Sequence, residues 1–134
     1  MAWTLPAARR RPSTLGLVEG RLRDCPGSPN CVSSQALSDE FRVEPIPYAC
    51  TRTEARARLI AMLERDPRAH IATEREDYLH VEWQAWVFVD DLEFYLPPDE
   101  RVIHVRSASR VGHSDLGANR RRVLALRAAF SSRG

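Results

Sequence analysis

The sequence predicts an α+β domain in which two helices cover an antiparallel sheet of about five strands, in the order β-α-β-β-β-β-α. Three observations predict it: a capped helical stripe starting at Thr51, four strand-like segments separated by turn residues between Ala69 and Ser107, and a second helical stripe beginning at Leu116. At 134 residues, 43% hydrophobic and 28% charged, the chain is of a size to bury roughly two-thirds of its unfolded surface around one core.

Residues 1–20, rich in Arg, Pro and small side chains without a period, are expected to form a tail or strap ahead of a single domain, 21–134. Residues 22–38 are turn-rich, and Pro26, Gly27, Ser28, Pro29 and Asn30 make a proline-stiffened loop, so an ordered but irregular segment is expected. A short extended segment, 41–46, precedes the first helix. Thr51 with Glu54 three residues later is a capping pattern, Ala55, Leu59, Met62 and Leu63 share one face, and Asp66-Pro67 stops the helix. Its Arg52, Arg56, Arg58 and Arg65 fall mainly elsewhere on the cylinder and are expected to be solvated.

Strands are expected at 69–73, 78–84, 86–96 and 102–107, joined as a meander by short connections. In the second, Leu79, Val81 and Trp83 alternate with Tyr78, His80, Glu82 and Gln84, which predicts one apolar and one wet face. Leu116, Val123, Leu126 and Phe130, at spacings of seven, three and four, form the stripe of the second helix. The element order is that of TATA-binding-protein-like and helix-grip folds, an analogy of architecture that carries no function.

The net charge is +2, and all 20 basic residues are arginine. Acidic residues are interspersed with them except at 9–11 and 120–122, so the one-sided positive surface of a nucleic-acid binder is not expected. No apolar run reaches the ~20 residues of a membrane span, and the first residues lack the apolar region of a signal peptide, which reads as cytoplasmic. The sequence carries no G-x-S-x-G, P-loop or G-x-G-x-x-G motif, and His70, His80, His104 and His113 lack metal-ligand spacing, so neither cofactor nor metal is expected. His80 and His104 occupy polar strand rows and are expected at the surface. Cys25 and Cys31 admit three readings: free thiols in a reducing cytosol, a disulfide closing a small loop in an oxidising compartment, or part of a zinc site, although no second pair follows.

Two places concentrate groups that carry chemistry. In the third strand the apolar row Trp86, Phe88, Leu92, Phe94 and Leu96 is interrupted by Asp90. A bulge at Asp90-Asp91 or an arginine from the neighbouring strand would satisfy that carboxylate; the alternative is an acid facing a pocket with a raised pKa. At the next strand-to-helix junction, Arg106, Ser107, Ser109, Arg110, His113, Ser114, Asp115, Asn119 and Arg120 crowd together. Ser114 or Asp115 can cap the helix, and arginines beside a helix N-terminus form an anion site, unless Arg106 and Arg110 close a network with Asp90, Asp91 or Asp115.

CPGSPNCVSS (25–34), DDLEF (90–94) and RSASRVGHSDLGANRRR (106–122) together resemble the bacterial and plastid family catalogued as domain of unknown function 1499, over about 15–130. The resemblance implies no defined activity. Many members look exported, lipid-anchored or membrane-attached, which would suit a Cys25–Cys31 disulfide, whereas no leader is evident in this sequence.

The residues point first to a non-enzymatic binding domain for a small amphipathic or anionic ligand. Arg106, Ser107, Ser109, Arg110, Asp115, Asn119, Arg120, Asp90 and Asp91 are its candidate site, and Trp83, Trp86, Phe88 and Phe94 its candidate apolar lining. The alternatives are a hydrolase- or isomerase-like enzyme using Asp90 or Asp91 as base with Arg106 or Arg110 on an oxyanion, and a purely structural or interaction domain.

Overall fold

Thr51 starts the first helix by accepting the Glu54 backbone N–H at 3.1 Å and donating its hydroxyl to Glu54 Oε1 at 3.0 Å. The computed structural model describes residues 11–27, 30–112, 115 and 117–132. In chain order its elements are β1 (Leu17–Val18), β2 (Arg21–Leu22), β3 (Cys31–Ser33), a 3-10 turn (Asp39–Phe41), β4 (Ile46–Pro47), α1 (Arg52–Glu64), β5 (Ala69–Glu74), β6 (Tyr78–Ala85), β7 (Phe88–Tyr95), β8 (Val102–Ser109) and α2 (Ala118–Ser132). Strands β5 to β8 form the expected antiparallel meander. β3 and β4 then share the far edge of β8, pairing with Arg106–Ala108 and Val102–Ile103 respectively, which completes a six-stranded sheet. β1 and β2 form a separate hairpin whose turn, Glu19-Gly20, holds both φ angles positive at 53° and 72°.

Three local expectations need correction. Residues 22–38 are not wholly irregular, because Cys31–Ser33 finds unpaired backbone along β8. Residues 41–46 do not form one strand: Phe41 closes the 3-10 turn, Arg42 is extended and bridges Ser33, and the strand is Ile46–Pro47. Trp86 belongs to the β6–β7 turn rather than to a strand. Leu116 lies outside the described residues, as do His113 and Ser114.

Strand alternation sends Leu79, Val81, Trp83, Leu92, Phe94, Ile103 and Val105 to one side, where they meet Ala55, Leu59 and Leu63 of α1 and Val123, Leu126 and Phe130 of α2 in the main core. The two helices are also joined by Arg58, expected in solvent. Its guanidinium lies 4.4 Å from the Phe130 ring centre and donates to the Phe130 carbonyl at 3.0 Å.

The other face of the sheet, expected to be wet, is covered. Residues 11–24 cross it, with Leu17 and Leu22 packed on Tyr78 and Tyr95. His80 and His104 are therefore buried, at 2% and 9% exposure. Beneath this strap runs a layer of paired charges. Asp91 takes His80 Nε2 at 2.7 Å and a bidentate fork from Arg110 at 2.9 and 2.8 Å, while Glu82 takes Arg110 at 2.6 Å and Arg11 at 2.9 and 3.2 Å. Glu93, fully buried, accepts the Tyr78 hydroxyl at 2.5 Å, the Gly16 N–H at 2.7 Å and Arg106 at 3.4 Å.

Burial pushes the Glu82 carboxyl up, but the hydrogen bonds from Arg11 and Arg110 outweigh it and bring its pKa to about 2, from an ordinary value of 4.5. Asp91 is likewise lowered by Arg110 and His80 against its burial. A depressed folded-state pKa stabilises the fold above the unfolded value and loses that stability as pH falls toward the folded one. Urea midpoints are therefore expected to fall between pH 4.5 and about 2. In Arg110→Ala the unfolding free energy is expected to drop by about 3 kcal/mol at neutral pH, because Asp91 loses its guanidinium partner, and the midpoint to depend less steeply on acid.

Cys25 and Cys31 are joined as a disulfide, which closes the 25–31 loop onto the β3 edge. Replacing both by alanine is expected to cost about 2 kcal/mol by chain entropy, seen as a melting temperature lower by roughly 5 °C.

Candidate functional site

The run between β8 and α2 is built around one buried amide. Asp115 accepts the backbone N–H groups of Gly117 at 2.8 Å and Asn119 at 3.0 Å, so it holds the first turn of α2; these bonds outweigh burial and lower its carboxyl pKa. That turn delivers Asn119 to the sheet with no exposed surface. Asn119 Oδ1 accepts the Ser107 hydroxyl at 2.6 Å and Arg122 at 2.9 Å. Its Nδ2 donates toward the Asn30 carbonyl at 3.0 Å, Ser109 Oγ at 2.9 Å and Asp115 Oδ2 at 2.6 Å. Asn30 in turn donates its side chain to the Gly112 carbonyl at 2.7 Å. The disulfide loop, the end of β8 and the start of α2 thus meet at one point.

Asp90 has the same neighbours. The β7–β8 register runs without a break through Asp90↔Ser109 and Asp91↔Ala108, so no bulge separates the two acids and Asp90 faces the helices. Its carboxylate meets Arg122 of α2 at 2.8 Å rather than an arginine from a neighbouring strand. Burial pushes the Asp90 carboxyl up and the Arg122 guanidinium only partly offsets it.

The nine expected site residues consequently do not form one site. Asp90, Ser107, Ser109, Asp115 and Asn119 stand on the helix side. Asp91, Arg106 and Arg110 belong to the charged layer under the strap, because neighbouring residues of one strand point to opposite faces. Arg120 turns to a third place and donates to the carbonyls of Glu40 at 2.8 Å and Arg42 at 3.0 Å. Of the two arginines expected to hold an anion, Arg110 is taken up by Asp91 and Glu82, and Arg106 reaches Glu93 while its Nε has no hydrogen-bond partner among the described residues.

Concave apolar space lies elsewhere. A groove of about 570 Å³ runs between the end of α1, α2 and the β6–β7 turn. Trp83 forms its floor, with the guanidiniums of Arg68 and Arg122 at 4.8 and 5.4 Å from the ring centre. Met62, Leu126 and the small side chains Ala125 and Ala129 form the walls, and Trp86 stands at the rim. An adjoining hollow of about 300 Å³ contains Phe88, Asp90 and Ser109 and shares Ala85, Ala118 and Arg122 with the groove. Trp83, Trp86 and Phe88 therefore do line concave space, whereas Phe94 is wholly core. Ala118, Ala125 and Ala129, at spacings of seven and four, were the sequence signal for a helix side left open; nothing local tied Arg68 to Arg122. Among the described residues no three His, Cys, Asp or Glu side chains gather as a metal site.

Asn119→Leu keeps the volume but leaves Ser107 Oγ, the Asn30 carbonyl and Ser109 Oγ short of a buried partner. Urea unfolding is expected to show a loss of about 3 kcal/mol, against under about 0.5 kcal/mol for Ala128→Ser on the exposed side of α2.

Neither a curated protein nor a solved structure matches the chain. A family model does, over residues 21–130, which takes in all three motif runs: the disulfide loop, the acidic stretch of β7 and the β8–α2 junction. The helix-side network is built from those runs, and the charged layer under the strap takes Asp91, Glu93, Arg106 and Arg110 from them; the chain belongs to the family described as protein of unknown function (DUF1499).

Proposed function

We propose that this domain is a non-enzymatic binding module for a small amphipathic molecule, held in the groove between α1, α2 and the β6–β7 turn. The observation that carries the reading is the groove itself: about 570 Å³, within the range of small-molecule sites, with an aromatic floor and guanidiniums at its edge. The apolar part of the ligand lies along Trp83, Leu126 and Ala125. Its polar or anionic end meets Arg68 and Arg121 at the groove edge, which replace Arg106 and Arg110 as the cationic end of the site, while Arg122 stays paired with Asp90.

The enzymatic alternative has less support. Asp91 is enclosed by Arg110 and His80, and a general base needs a lone pair within reach of substrate. Asp90 opens on the smaller hollow, yet its Oδ2 is already engaged by Arg122. The setting of the domain, cytoplasmic on the sequence reading, bears on the Cys25–Cys31 bond, since such a pair opens in a reducing compartment and persists in an oxidising one.

Titration with anilinonaphthalene sulfonate, an amphipathic anion whose fluorescence rises in apolar surroundings, tests the reading. Saturable binding is expected. Ala125→Trp, an exposed position on the groove wall, is expected to weaken it by roughly tenfold or more with the melting temperature unchanged. Equal binding by this variant and the parent chain would show that the groove is not the site.

A further inference from the structure

Three consecutive apolar residues stand in water at the tip of the β6–β7 hairpin: Trp86, Val87 and Phe88 are 85%, 49% and 42% exposed. The tip is also locally unfavourable. Trp86 holds φ at +59°, the left-handed region in which a two-residue turn ordinarily takes glycine or asparagine, and its carbonyl is engaged by the Gln84 side chain. A bulky indole kept there packs on nothing that would explain it.

The neighbouring surface of α2 has the same character. Arg121, Leu124, Ala125 and Ala128 are all exposed and follow one another at helical spacing, so the buried face of Val123, Leu126 and Phe130 is matched by a mostly apolar outer stripe. Arg121 and Ala125 also wall the groove that Trp86 rims, which places the hairpin tip, the groove mouth and the stripe on one side of the molecule. α2 carries four arginines and no acidic residue; Arg120 turns away to the Glu40 and Arg42 carbonyls and Arg122 is paired with Asp90, so the cation on the exposed stripe is Arg121. The groove adds Arg68 against a single carboxylate, Asp66, which Arg68 already holds at 2.9 Å.

We propose that this side of the domain docks on a lipid bilayer bearing anionic headgroups. Trp86, Val87 and Phe88 enter the boundary between headgroups and acyl chains, where an indole is favoured because its ring is apolar and its N–H polar. Leu124 and Ala128 rest on the same boundary, and Arg121 faces the phosphates. A second copy of the chain fits less well, since a symmetric contact would set the arginines of α2 against one another. The docking uses the tip and the outer stripe rather than the Trp83 floor, with Trp86 and Arg121 at the border of the two.

Co-sedimentation of the full chain with vesicles provides the test. Binding is expected to vesicles of phosphatidylcholine mixed with phosphatidylglycerol, to be weaker with phosphatidylcholine alone, and to fall as added salt screens the headgroups. Trp86→Gly combined with Phe88→Ser is expected to lower the bound fraction by roughly tenfold, with a melting temperature unchanged or raised because glycine suits the turn. Leu124→Glu separates the two proposals, since Leu124 is exposed and lies outside the groove lining: vesicle binding is expected to fall roughly tenfold while the soluble probe binds as before. Failure to sediment with anionic vesicles at low salt would overturn the docking, and so would unimpaired binding by the folded tip variant or self-association removed by that variant.

Discussion

Asn119 holds together three pieces of chain that are far apart in sequence. Its amide has a fixed set of donors and an acceptor, and in the absence of water each needs a partner in a fixed direction. The partners are Ser107 and Ser109 on β8, the backbone of Asn30 beside the disulfide, Asp115 at the start of α2 and Arg122 one turn further along. Apolar contacts alone would tolerate sliding of α2 across Val105 and Leu92. The amide does not, because a shift of one residue would leave several buried polar groups unpaired. The position of α2, and with it the width of the groove, follows from this node.

The charged layer beneath the strap works on the same principle on the opposite face. His80, Glu82, Asp91, Glu93 and Arg110 come from β6, β7 and the end of β8, where the apolar side of each strand is already committed to the helices. They are covered by residues 11–24, and the covering is specific, since Arg11 and the Gly16 N–H reach the carboxylates of Glu82 and Glu93. Buried ion pairs of this kind add less to stability than to register, because their desolvation nearly offsets their attraction. Here they specify where an otherwise irregular N-terminal segment must lie.

Between these two polar layers, the space left open is set by small side chains. Alanines at 118, 125 and 129 leave the space between α2 and the end of α1 unfilled, and Trp83 becomes a floor rather than a fully enclosed core residue. The β6–β7 turn then projects its aromatic tip past the edge of that groove.

The helices and the meander were legible in the sequence because their signals are local: the Thr51 cap, the stripe of Ala55, Leu59, Met62 and Leu63, and the alternation in β6 each depend on residues within a few positions. The importance of the β8–α2 run was legible too, as an unusual density of polar groups. Three things were decided only by the tertiary structure. Alternation divided Arg106 from Ser107 and Asp91 from Asp90, and whether each face met helix, strap or solvent depended on chain elsewhere. His80 looked like a surface residue because nothing near it in sequence announces the strap that buries it. The groove was hidden for the same reason: its floor, walls and guanidiniums come from α1, β6 and α2, and a cavity is a property of how elements meet rather than of any one of them.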